Sequence, residues 1–179
     1  MPETLDELLA SLEAAAPSPA GGTAAAVVAA MAASLVAMVG RESAAWPAGG
    51  DTAARATQLR DRLVALGAED VQAFAAVLAA SRGDDSDAFA AALIRASEVP
   101  LEIAERAADV GEIATRAATE GKRPLRPDAE AAAILAAAAT HAAALLVRVN
   151  VAALPAGAAN EAAARVIDAA RVAEDRVAR

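Results

Sequence analysis

Apolar residues recur at three- and four-residue intervals along nearly the whole chain, which is the spacing of one face of an α-helix. No stretch alternates apolar and polar residues one by one, so no strand is predicted, and no repeat of fixed period appears. Thr4 opens a first helix, with Glu7 completing a capping box and Leu5, Leu8, Leu9 and Leu12 forming its stripe; Pro17 and Pro19 end it. A second helix is predicted over about 21–43. Trp46, Pro47, Gly49 and Gly50 make 44–50 a loop. Asp51 or Thr52 then caps a third helix that ends near Ser81, with a stripe of Leu59, Leu63, Leu66, Asp70, Phe74 and Val77. After the turn Gly83-Asp84-Asp85 a fourth helix reaches about Glu120. Pro100 falls inside it, where a kink or restart is expected. The segment 121–127 is a basic, Pro-rich loop. Asp128 starts a fifth helix that runs to about Leu154, 155–157 breaks it, and a last helix runs from about Asn160 to the end. The pattern predicts one domain over 1–179, an all-α bundle of about six long helices.

Composition changes the picture of the core. Hydrophobic residues make up 57% of the chain, yet about a third of all residues are alanine and only 2% are aromatic. Alanine is the best helix former but buries little area. Such a core gains stability from close approach of helix backbones, and much surface is expected to be buried between subunits. Two uncharged runs, 20–39 and 131–147, approach the length of a membrane span. Their alanine content makes transfer into lipid weak, and neither has aromatic belts or basic flanks, so buried bundle or dimer helices are expected instead.

The net charge of −8 argues against a nucleic-acid partner. The absence of cysteine excludes disulfides and thiolate chemistry, and a single histidine leaves no His-rich zinc site; no metal site is expected. The N-terminus is acidic and lacks the positive region of a signal peptide, so a cytoplasmic location and no membrane partner are expected.

Candidate chemistry begins at Ser18–Pro19–Ala20–Gly21–Gly22–Thr23, a Gly-rich turn feeding a helix N-terminus and a natural seat for an anionic or polar ligand. Asp70 lies amid apolar positions; buried, its pKa would rise toward acid/base use, while the plain alternative is a surface carboxylate beside Glu69. Asp128 sits where a Pro-rich loop meets a helix, a common place for a cap; Arg123 and Arg126 beside it suit a ligand carboxylate or simply solvate the loop. Asn150 is flanked by Val149 and Val151, and its plain alternative is an amide bonding the break at Pro155. On one helix Asp128 and Asn150 lie about 33 Å apart, so only a helix break or a second subunit brings them to one ligand. His141, within an alanine run, reads as a packed structural residue. Glu98, Glu102, Glu105, Asp109 and Glu112 read as a solvated face paired with Arg106 and Arg116.

Together these segments resemble the cyclodeaminase/cyclohydrolase family of folate enzymes: formiminotransferase-cyclodeaminase C-terminal domains and stand-alone methenyltetrahydrofolate cyclohydrolases. The opening turn is similar to the family's Thr/Ser-Pro-Gly-Gly-Gly-Ser-Ala-Ala, and 35–39 to the helical segment after that turn. Asp70-Val71-Gln72-Ala73-Phe74 resembles Asp-x-x-Ala-Tyr, and Val99-Pro100-Leu101-Glu102-Ile103-Ala104-Glu105 resembles Val-Pro-Leu-x-Ile-Ala-Glu. Pro127-Asp128 and Leu146-Val147-Arg148-Val149-Asn150 stand where Ser-Asp and Asn-Val-Arg-Ile-Asn are expected. The chain departs from the pattern at Ala20 for Gly, Phe74 for Tyr and Leu146 for Asn, and 44–50 lacks the family's Lys.

The resemblance implies an all-α homodimer with folate sites where helices of the two subunits meet. It implies hydrolysis of 5,10-methenyltetrahydrofolate, or cyclisation of 5-formiminotetrahydrofolate with release of ammonia, with no cofactor beyond the tetrahydrofolate substrate. The alternative is a non-catalytic folate-binding or scaffold relative that has lost polar site groups. Asp70 and Asp128 are the expected catalytic residues, one as acid/base and one stabilising the cationic amidinium. Pro19, Gly21, Gly22, Thr23 and Asn150 are expected against the ligand, and Arg41, Arg126 or Arg148 against its glutamate tail.

Overall fold

The computed structural model describes residues 4–14, 20–155 and 161–178. It contains α1 (Leu5–Glu13), α2 (Gly21–Glu42), α3 (Gly49–Ala80), α4 (Ser86–Glu120), α5 (Arg126–Ala152) and α6 (Glu161–Val177), and no strand among the described residues. The all-α expectation and the six helices hold.

Local chemistry explains most boundaries. The Thr4 hydroxyl accepts from the Glu7 amide at 3.2 Å, and the Glu7 carboxylate accepts from the Thr4 amide at 3.1 Å, the reciprocal bonds of the expected capping box. Asp85 caps α4 by accepting from the Asp87 and Ala88 amides. Three boundaries differ from the pattern-based reading. α3 starts at Gly49 rather than at an Asp51 or Thr52 cap, because the Trp46 and Ala48 carbonyls accept from the Gly49 and Thr52 amides and carry the helix back toward the loop. α5 starts at Arg126, two residues before Asp128, with Pro127 tolerated in the first turn, where no intrahelical amide bond is lost. A 3-10 turn over Arg123–Leu125 leads into it. α4 continues unbroken through Pro100 rather than restarting there.

α2 is the central helix. Ala25, Ala26, Ala29, Ala32, Ala33 and Val36 are buried at or near zero exposure against α3, α4 and α5. Small residues let these helices close up, and at one point backbone meets backbone. A Cβ on Gly40 would lie 2.6 Å from Gly49 O, and one on Gly49 2.7 Å from Gly40 O. No other residue fits either position without moving a helix.

Three helical stretches, Gly21–Glu42, Gly49–Ala80 and Arg123–Ala152, are long and apolar enough to cross a membrane. In the first, 61% of the most apolar window is buried inside the bundle, so packing accounts for its uncharged run.

Charged residues fasten the outer helices. Arg62 on α3 bonds Glu69 and also Glu102 on α4. Arg55 of α3, Arg106 of α4 and Arg176 of α6 all pair with Asp109, and Arg176 also bonds Glu112. The acidic series on α4 is therefore more than a solvated face: three of its members tie α4 to α3 or α6. His141, expected to be packed, is half exposed and meets Glu174 of α6 at 3.2 Å.

α3 and α5 run antiparallel to α2, whereas α4 runs parallel to it. Gly21 and Gly22 at the start of α2 lie against Leu146 of α5 and Asp70 of α3, whereas Gly121, just past α4, lies against Val39 near the end of α2. The bundle thus has two chemically distinct ends.

Candidate functional site

A pocket of about 200 Å³ opens at the first of these ends. Its walls come from the start of α2 (Gly21, Gly22), the second half of α3 (Asp70, Val71, Phe74), the middle of α4 (Ala96, Pro100) and the last turns of α5 (Leu146, Val149, Asn150). Two polar side chains, Asp70 and Asn150, face a lining that is otherwise apolar or backbone.

Asp70 is placed by the turn before α2. That helix begins with Ala20 as its cap residue, which has no side chain to satisfy the first amides. Asp70 does so from the neighbouring helix: its Oδ2 accepts from the Thr23 amide at 3.2 Å. The Thr23 side chain is fully buried and donates to Gly67 O at 2.9 Å, one turn before Asp70 on α3, which fixes the two helices in register. Gly22 makes room. A Cβ there would lie within 2.6 Å of all three carboxyl atoms of Asp70. Burial pushes the Asp70 carboxyl above its ordinary value, while the Thr23 amide pulls the other way and loses.

This changes the expectation for the Gly-rich turn. The Thr23 amide is already engaged by a carboxylate of the protein's own, so the helix start is not an open seat for an anionic ligand. A pocket that presents a half-buried carboxyl selects instead for a neutral donor or a cation.

Asn150 reaches across from α5. Its Nδ2 donates to Ala96 O at 2.9 Å. It does not bond the helix break at Pro155.

The pocket gathers Gly21, Gly22, Asp70 and Asn150, with Thr23 directly behind Asp70. Pro19 lies outside the described residues. The remaining expected residues lie elsewhere in this chain. Arg41 is exposed near the far end of α2, about 28 Å along the axis from Gly22. Arg126 and Asp128 begin α5, about 33 Å along that helix from Asn150 in the case of Asp128, and Arg126 bonds Glu130. Arg148 is taken by Glu174 of α6 at 2.6 Å. Within one chain Asp70 and Asp128 therefore do not share a cavity.

The far end has its own character. Trp46, the one tryptophan, is buried in the 44–48 loop and its Nε1 donates to a Glu120 carboxylate oxygen at 2.7 Å. The Lys122 amide donates to the Ser43 hydroxyl at 2.8 Å. Where the family pattern expects a lysine, the loop is locked by an indole.

Ala96 is not legible in the sequence as a site residue, since its contribution is a main-chain carbonyl. A signal is nevertheless present: a proline inside a helix frees the carbonyl four positions earlier.

No curated protein sequence matches the chain. The crystal structure of formiminotetrahydrofolate cyclodeaminase from Thermotoga maritima is similar in fold, with a TM-score of 0.82 and 23% identity, covering 97% of this chain and 93% of that one. The family profile described as formiminotransferase-cyclodeaminase matches residues 4–169. The chain belongs to the formiminotransferase-cyclodeaminase family.

Proposed function

We propose that the protein is a folate one-carbon enzyme acting at the carbon between two nitrogens of a tetrahydrofolate. It either hydrolyses 5,10-methenyltetrahydrofolate or cyclises 5-formiminotetrahydrofolate with release of ammonia. The observation that carries this reading is Asp70: a carboxyl with raised pKa, held at a helix start and turned to a small apolar pocket. The amidinium of a methenyl group is cationic and is stabilised by such a carboxylate. Both reactions pass through a tetrahedral carbon. In hydrolysis, water gives up a proton as it attacks, and a proton goes to the ring nitrogen that departs. In cyclisation, the amine attacks the formimino carbon, and a proton goes to the amino group that leaves as ammonia. A carboxyl whose pKa lies closer to neutrality suits either transfer.

Homodimerisation is part of the proposal. Met31 on α2 and Ile134, Leu145 and Val149 on α5 are between 52% and 70% exposed, and these two adjacent helices carry no charged residue across 24–38 and 131–147. A second copy of the chain covers this face. A two-fold axis near the middle of the α5 stripe sets the Asp128 end of one copy level with the Asn150 end of the other, and so beside its Asp70 pocket. That arrangement gives Asp128, Arg126 and Arg41 a place at the site which they lack in one chain.

The test is loss of methenyltetrahydrofolate absorbance and ammonia release from formiminotetrahydrofolate, with mass measured by light scattering. Turnover above buffer by a dimer is expected, and Ile134→Glu is expected to give a monomer of low activity. Folate binding by calorimetry with turnover of neither substrate would favour the non-catalytic relative, to which the apolar Phe74 and Leu146 walls already lend weight.

A further inference from the structure

Proline carries no amide hydrogen, so Pro100 leaves Ala96 O without the donor that helix geometry would otherwise supply. A side chain from another helix fills the place: Asn150 Nδ2 donates to this carbonyl. An amide anchored through Nδ2 has its orientation decided, because only the nitrogen can donate to a carbonyl. Its Oδ1 is then a fixed acceptor. No group among the described residues donates to that Oδ1, and no fully buried side-chain oxygen among them lacks a partner, so Oδ1 remains accessible. Ala96, Pro100 and Asn150 all line the Asp70 pocket.

We infer that Pro100 is a positioning residue: by freeing the Ala96 carbonyl it anchors the Asn150 amide so that Oδ1 stands as a fixed acceptor for an N–H group of the ligand held against Asp70. The inference rests on the reading of this pocket as the folate site, and it adds which edge of the ligand is read there. An N–H edge of a reduced pterin meets the acceptor. A carbonyl edge meets a second lone pair and leaves Asn150 unpaired, which is the stronger form of discrimination. The apolar walls, which include Phe74 and Val71 of α3 and Leu146 of α5, suit a planar heterocycle.

Pro100→Ala restores an N–H at position 100, which competes for Ala96 O and releases Asn150. Two measurements on the intact protein read this change. In side-chain amide NMR, with the Asn150 signals assigned by their loss in Asn150→Ala, one Nδ2 proton of the wild type is expected to exchange slowly with water, and both are expected to exchange fast in Pro100→Ala. In turnover of methenyltetrahydrofolate, Pro100→Ala is expected to raise KM about tenfold with kcat little changed, the effect of one hydrogen bond made equally in ground and transition states. Asn150→Ala should do the same, and the double variant should be no worse than Asn150→Ala alone, because both act through one bond. Pro100→Ser carries the same restored N–H and serves where the alanine variant does not fold. Retained amide protection in the position-100 variants, an unchanged KM in an active enzyme, or additive losses in the double variant would each overturn the inference. A wild type inactive on both folate substrates overturns the functional reading alone, and the amide exchange still decides whether Pro100 sets Asn150.

Discussion

At two glycines on α2, Gly22 and Gly40, a Cβ would clash with the groups packed there, yet the clashes differ in kind. At Gly40 the missing side chain admits a backbone carbonyl of Gly49, and the outcome is two helices drawn together. At Gly22 it admits the Asp70 carboxyl, and the outcome is a charged group brought to a helix start and a pocket. The obstacle in the first case is rigid. In the second it is the end of a side chain that can swing away. The same absence of a Cβ therefore protects stability at one end of the bundle and chemistry at the other.

Substitutions can break this contrast. The largest effect is expected from Asp70→Asn, which should lower kcat/KM by about 10²–10⁴-fold, the usual range for a lost proton-transfer group. It should at the same time raise thermal stability at neutral pH. The sign comes from linkage. The folded carboxyl has a raised pKa, so its contribution to stability is fully present below the ordinary value of 3.8 and is lost as pH rises through the raised one. The Asn variant escapes that loss, and melting curves across pH should converge with wild type only in acid. A variant that is less stable than wild type at pH 7 would show that Asp70 is chiefly a helix cap.

Next in size, Gly22→Ala should cost about 10²-fold in kcat/KM by displacing the carboxyl, with little change in denaturant midpoint. Gly40→Ala should do the reverse and lose about 1–3 kcal/mol of stability, while the residual folded enzyme keeps its KM. If both variants fail in the same assay, the contrast between the two ends is wrong.

The smallest effect sharpens the same point from outside the pocket. Arg62 holds the Glu102 carboxyl below its ordinary range, outweighing the burial that pushes it up. Its contribution is present above the ordinary value of 4.5 and is lost as pH falls through the lowered one. Because both partners are partly exposed, Glu102→Gln should cost less than about 1 kcal/mol, readable as a small drop in Tm that fades in acid.

The fold is more legible in the sequence than the site is. Leu59, Leu63 and Leu66 at helical spacing are all buried, as their periodicity requires, and Thr4 with Glu7 closes the expected cap. Boundaries are harder to read: no side chain marks Gly49 rather than Asp51 as the start of α3, since the bonds that extend it run to the main-chain carbonyls of Trp46 and Ala48. The same holds for the site. Asp70 is visible as a carboxylate on an apolar stripe, whereas its partner, the Thr23 amide, is a main-chain group 47 positions away. Asp128, Arg126 and Arg41 carry polar chemistry in the sequence, and their ends of α5 and α2 lie a helix length from the pocket. Residue type along the chain does not show which end of a helix meets the pocket.

The bond between Asp70 and the Thr23 amide has one more consequence. The hydrogen on that nitrogen is held by an oxygen of the carboxyl whose charge governs the pocket. Protonating the carboxyl, or neutralising it with a bound cation, weakens the hold and lets the amide hydrogen trade with solvent. A single exchangeable hydrogen at the start of α2 is thus a built-in gauge of the pocket's state of charge, legible without substrate turnover and without altering a residue.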